Sequence, residues 1–212
     1  GEAFRKEGPD HLKPVGETEW IDRQASKAKE AGPGSVRIGG IVGAARLSLG
    51  TLAGETLDAH LEASDLFRGI RDMGIWDADP AIARVEDATG PDLYGEKTFR
   101  EGFAEVAKRG LSFDAHQYHP QLPSVASLAR AFPDTTIVLD HMGSPLAEGR
   151  FAGKREEAFV EWRRMLADVA TCPIVVLKLG GMAMPWNGFE WECEPAPPSS
   201  DRFIDTYARY YH

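Results

Sequence analysis

A chain of 212 residues, 42% hydrophobic and 27% charged, can bury a full core and is ordinary for a globular protein. It carries 24 Lys and Arg against 33 Asp and Glu, a net charge of −9 with a pI near 5.2. That argues against nucleic-acid or anionic-membrane partners, since both need clustered basic residues. No apolar run approaches a membrane span and "GEAFRKEGPD" lacks signal-peptide character, so a cytoplasmic location is expected.

In chain order, "SVRIGGIV" (35–42) predicts a first strand, and "GETLDAHLEASD" (54–65) a helix with Leu57 and Leu61 on one face. "LFRGIR" (66–71) predicts a second strand, followed by a polar loop through "WDADP". "GEKTFREGFAEVAKRG" (95–110) sets Phe99, Phe103, Val106 and Ala107 on one helical face and stops at Gly110. A third strand is expected over "LSFDAHQ" (111–117), then a helix over "PSVASLARAFP" (123–133) opened and closed by proline. "TTIVLDH" (135–141) predicts the fourth strand, stopped by Gly143 and Pro145. "REEAFVEWRRMLADVAT" (155–171) predicts a helix with Phe159, Trp162, Leu166 and Val169 inward, and "PIVVLKLGG" (173–181) the fifth strand. The first 34 residues and the last 30 fit no strand, although "DRFIDTYARYYH" (201–212) reads as a final helix.

Alternating strands and helices give βα units on a parallel sheet. Two architectures share this pattern: a five-stranded doubly wound domain, and part of a (β/α)8 barrel at roughly 35 residues per unit. Two cysteines make no disulfide framework; Cys172 and Cys193 are expected to be structural, in a reducing compartment. Glu192 and Glu194 disfavour a thiolate at Cys193, a poor nucleophile.

Polar residues cluster where strands end, which is where α/β sheets bind ligands. "FDAHQYHPQL" (113–122) alternates Asp114, His116 and Tyr118 against Phe113, Ala115, Gln117 and His119. His116 and His119 therefore face opposite ways, and His119 reads as a loop residue before Pro120. His116 and His141 would place two imidazoles at the ends of adjacent strands, suited to polarising a carbonyl. Alternatively, His141 caps its strand through a backbone hydrogen bond. Arg71 ends a strand, with Gly69 giving it room, and can grip a carboxylate; a salt bridge to Asp72, Asp77 or Asp79 is the other reading. Lys178 interrupts a buried strand, which requires a role in a site or pairing with Asp140 or Asp114. There is no GxGxxG, Walker or G-x-S-x-G pattern.

"FRGIR", "GLSFDAHQYHPQL", "AFPDTTIVLDHMG" and "VVLKLGG" follow in the order and spacing of the amidohydrolase-related family, and the chain resembles its lactonase-like branch, which includes 2-pyrone-4,6-dicarboxylate lactonase. "GPDHLKPVGETEW" and "PPSSD" extend the likeness over nearly the whole chain. The resemblance implies a (β/α)8 barrel and hydrolysis of a lactone, ester or amide bond in a small, carboxylated substrate. On that mapping the five strands are numbers two to six. Residues 1–212 would then form one partial barrel domain lacking the first strand, with its H-x-H, and the last two, with the water-activating aspartate. His141 matches the strand-5 histidine and would polarise the carbonyl or hold a zinc-type divalent metal, beside His116; the branch includes members that need no metal. Arg71 would bind the substrate carboxylate, with Tyr118, Gln121 and Lys178 around it. Related barrels also support zinc-dependent decarboxylation, and a non-catalytic α/β binding domain is the reading from another class. An open sheet would expose its edges and favour a homo-oligomer.

Overall fold

The computed structural model describes residues 3–32, 34–82 and 90–211. Five strands, β1 (Ile41–Ala44), β2 (Phe67–Met73), β3 (Ser112–His116), β4 (Ile137–Leu139) and β5 (Val175–Leu177), pair in parallel and in sequential order. The crossovers carry α2 (Ala53–Ala63), α3 (Lys97–Lys108), α4 (Leu122–Ala131) and α5 (Arg155–Val169). Before β1 comes α1 (Val15–Glu30), and after β5 comes α6 (Ser200–Tyr211). A doubly wound sheet reverses its strand order at a switch point; a barrel does not. The order excludes the doubly wound alternative and makes this sheet an arc of a (β/α) barrel.

Cα partners in a parallel ladder share a face. Ile70, Phe113, Ile137 and Val175 are therefore on one side, and Arg71, Asp114, Val138 and Val176 on the other. The first side carries the core. There the Phe113 ring lies 5.3 Å from both Tyr94 and Phe103, and 6.0 Å from Phe99. The second side corresponds to a barrel interior, which layers of side chains normally fill. Here Val42, Met73 and Val176 on that side are exposed.

The strands are shorter than their apolar runs. Residues 35–40 are irregular and Val36 is exposed, because no strand neighbours them until the Ile41 amide reaches the Leu66 carbonyl at 2.8 Å. Leu57 is buried as expected, but Leu61 lies on the open side of α2. In α5, Phe159, Trp162 and Val169 are buried, with Leu166 half-buried against the same core. Cys172 is buried while Cys193 is exposed, so only the first is a core residue. No helix among the described residues is long and apolar enough to cross a membrane.

α1 leaves little apolar pattern in the sequence, since it buries only Val15, Gly16 and Thr18. Buried His60 ties it down: Nδ1 meets the Thr18 hydroxyl at 2.8 Å, Nε2 the Ala44 carbonyl at 3.1 Å, and the ring stacks on Phe67. A ring nitrogen facing a carbonyl must carry the proton, so Nδ1 accepts from Thr18.

Candidate functional site at the carboxyl ends of the strands

β4 ends at Leu139, two residues short of its predicted end. Asp140 is still extended, and its amide donates to the Ala115 carbonyl at 2.9 Å. The next four residues, His141, Met142, Gly143 and Ser144, have φ of 53°, 57°, 70° and 45°. Left-handed backbone costs non-glycine residues about 1–2 kcal/mol each, so such a run persists only where its surroundings hold it. The Met142 amide donates to the Lys178 carbonyl at 3.2 Å, and the Ser144 amide to His141 at 2.8 Å. From α5, the buried Trp162 Nε1 donates to the Met142 carbonyl at 2.7 Å. Trp162→Phe keeps most of the ring but strands that carbonyl; it should cost about 1–3 kcal/mol in chemical denaturation, and an unchanged midpoint would show that another donor replaces it.

The left-handed turn swings His141 back over the strand ends. Its ring centroid lies 4.8 Å from that of His116, edge to face. His116, Asp140 and His141 each offer a ligand atom, all within 4.8 Å of one another. Both His116 ring nitrogens are buried with no hydrogen-bond partner among the described residues. Burial, then the charges of His141, Arg71 and Lys178, push its pKa down to about 4. His141, half-buried, is also lowered, by burial first.

Beneath the imidazoles is a quartet of charges. Lys178 Nζ lies 2.7 Å from Asp114 Oδ2 and 2.5 Å from Asp140 Oδ1. Arg71 reaches Asp114 Oδ2 at 3.2 Å and Asp140 Oδ2 at 2.9 Å. Asp140 is fully buried, while the Lys178 side chain is 40% exposed. Burial opposes the Lys178 charge, but hydrogen bonds to the two aspartates outweigh it and raise its pKa. Lys178 thus takes both partners its sequence context offered. Arg71 pairs across the sheet rather than with Asp72, Asp77 or Asp79, and the space Gly69 leaves is filled by Ser112.

Other expected residues are placed differently. Tyr118 lies beyond the end of β3, so strand parity no longer governs it. It joins a small separate core with Ile82, Leu146, Phe151 and Ala158, and its ring lies 5.8 Å from Trp186, which is itself 5.8 Å from His116. Gln121 is spent on backbone: Nε2 donates to Gly74 at 2.7 Å and Pro91 at 3.1 Å, and Oε1 accepts from Trp76 at 3.0 Å. His119 is no open loop residue but fully buried, its Nδ1 accepting from the Leu146 amide at 3.0 Å. Burial pushes its pKa down to about 3.

These histidines make stability acid-sensitive. His116 and His119 titrate near 4 and 3 when folded, against about 6.5 when unfolded. Between pH 6.5 and about 4 the unfolded chain binds protons that the folded one refuses, so stability falls as pH falls. The expected slope is up to about 1.4 kcal/mol per pH unit for each group, read from denaturation midpoints at neutral and mildly acidic pH.

The sequence reading did not single out Trp186 or Gly181. The Trp186 ring lies 5.8 Å from that of His116, on a turn pinned by Asn187 Nδ2 to the Pro145 carbonyl at 2.7 Å. A Cβ on Gly181, whose φ is +74°, would fall 2.4–2.6 Å from the His141 side chain.

An amidohydrolase family model matches residues 21–209. "Uncharacterized protein y4mH" of Sinorhizobium fredii is 32% identical over 202 residues, 94% of this chain and 60% of that protein. An L-fucono-1,5-lactonase of Burkholderia ambifaria is 28% identical over 124 residues, 58% of this chain and 37% of that enzyme. The chain thus spans about 60% of the length of the first of these relatives. Among solved structures, an amidohydrolase of Burkholderia multivorans with bound HEPES is similar at a TM-score of 0.60 and 24% identity, over 97% of this chain and 69% of that one. A second crystal form of that protein, with bound zinc, matches over the same shares at the same TM-score and 22% identity. A family match over most of the chain, on a sequentially ordered sheet with its polar residues at the strand ends, makes this chain a member of the amidohydrolase family.

Proposed function

We propose that the protein hydrolyses a lactone or ester bond in a small, carboxylated molecule, with His116 and His141 acting on the carbonyl. The observation that carries this reading is His116, a buried imidazole with neither ring nitrogen partnered among the described residues, beside a second imidazole held by a left-handed turn. At neutral pH a pKa of about 4 keeps His116 uncharged. A neutral imidazole has one N–H to donate to developing negative charge and one lone pair to orient water. The three-residue set of two imidazoles and one carboxylate also suits a zinc-type ion. Such an ion would be held by His116, Asp140 and His141, and would polarise the carbonyl and acidify water.

A cavity of about 250 Å³ flanks the site on the β1–β2 side, lined by Arg46, Ser48, Arg71, Met73 and Leu93 among others. It would receive the substrate's carboxylate against the exposed part of Arg71. On a panel of lactones and aryl esters, His141→Ala should lower kcat by about 10²–10³, as loss of one electrostatic contact does. Arg71→Ala should raise KM more for carboxylated substrates than for neutral ones. If His141→Ala keeps wild-type turnover on the best substrate, the histidine is structural and this reading is wrong.

A further inference from the structure

Each oxygen of Asp140 faces a cation, Oδ1 Lys178 at 2.5 Å and Oδ2 Arg71 at 2.9 Å. Each oxygen keeps a second lone pair, so a metal ion bound with His116 and His141 through Asp140 would share its ligand with an ammonium or a guanidinium, and the conflict is one of like charges at close range. We propose that Lys178 and a divalent cation compete for Asp140, so that the site alternates between a lysine-closed form and a metal form.

Lys178 is the group that yields. Its ammonium is a single point on a flexible stem, 40% exposed, and it keeps Asp114 at 2.7 Å when it leaves Asp140. Arg71 sits within β2 and bridges Asp114 and Asp140 with a planar fork, so its departure would break two contacts at once. The quartet is neutral as it stands: two cations against two carboxylates. A divalent ion placed there meets repulsion from Lys178 until the ammonium moves away. The Lys178 carbonyl meanwhile accepts from the Met142 amide, so the same residue's backbone holds the turn that carries His141 whichever way its side chain points. This inference rests on the metal-binding part of the proposed function, not on the bond that is cleaved.

The test is equilibrium dialysis of the 212-residue chain against zinc alone, with no substrate. Lys178→Met should bind zinc about tenfold more tightly than wild type, or better, because the competing charge is gone. Lys178→Gln, which still hydrogen-bonds the aspartates, should show the same direction and covers the case in which the methionine variant fails to fold. Adding His141→Ala to Lys178→Gln should abolish the gain. Lys154→Met, which removes an exposed charge on the loop before α5, should leave zinc affinity unchanged. Wild-type affinity in both Lys178 variants, a gain that survives His141→Ala, or no zinc binding by any variant would each overturn the proposal. Because no turnover is measured, failure of the ester and lactone panel leaves this result standing, and failure here leaves hydrolysis without metal intact.

Discussion

Replacing Gly181 by alanine is expected to abolish most of the proposed hydrolytic activity, while the same change one residue earlier leaves it unchanged. A Cβ at 181 would lie 2.4 Å from His141 Nδ1 and 2.6 Å from its Cβ, where no real Cβ sits, and the backbone there has φ of +74°. The imidazole must swing away or the backbone must shift; either breaks the pairing with His116. Turnover should fall by about 10² or more, the scale for losing an electrostatic contact made in the transition state. At Gly180 an added Cβ meets nothing within 4 Å, so Gly180→Ala is the matched control. Comparable turnover in the two variants would show that Gly181 does not set the position of His141. Thermal melts of both separate this from loss of fold, since left-handed strain alone costs about 1 kcal/mol.

The largest effect on stability is expected from Phe113→Ala. Phe113 is fully buried, packed edge to face against Tyr94, Phe99 and Phe103, on the strand that also carries Asp114 and His116. Truncating a buried phenylalanine typically costs about 3–5 kcal/mol, because the cavity cannot fully collapse. On the opposite side of the sheet, Val176→Ala should change the denaturation midpoint little, since Val176 is half exposed. Equal losses at the two positions would mean that the two sides of the sheet are not distinguished as described. His116 and Phe113 are on opposite sides of the same strand by parity, so the stability of the core and the geometry of the site depend on one five-residue segment.

Much of this was legible in the sequence for a simple reason: burial imposes periodicity. Strands covered on at least one side read as apolar runs, and the 3.6-residue stripe of Phe99, Phe103 and Val106 marks α3. Strand parity placed Asp114 and His116 together, and a charged residue inside an apolar run, Lys178, announced that it needed a partner. Alternation and local composition determine which residues share a face. They do not determine which strand lies next to which, and so left the doubly wound sheet and the barrel both open until the pairing order was seen.

Tertiary structure alone decided the rest. Three non-glycine residues in a run of four with positive φ run against local preference, and nothing in "DHMGS" signals them. The turn exists because Lys178 and Trp162, 36 and 20 residues further along the chain than Met142, hold its backbone. Likewise, Gln121 looked available for a ligand until the fold set the backbone of Gly74, Trp76 and Pro91 around it. Sequence thus determined the strands, their inward faces and the charged residues at their ends. Only long-range contacts, whose free energy offsets local strain, decided how His141 turns to meet His116.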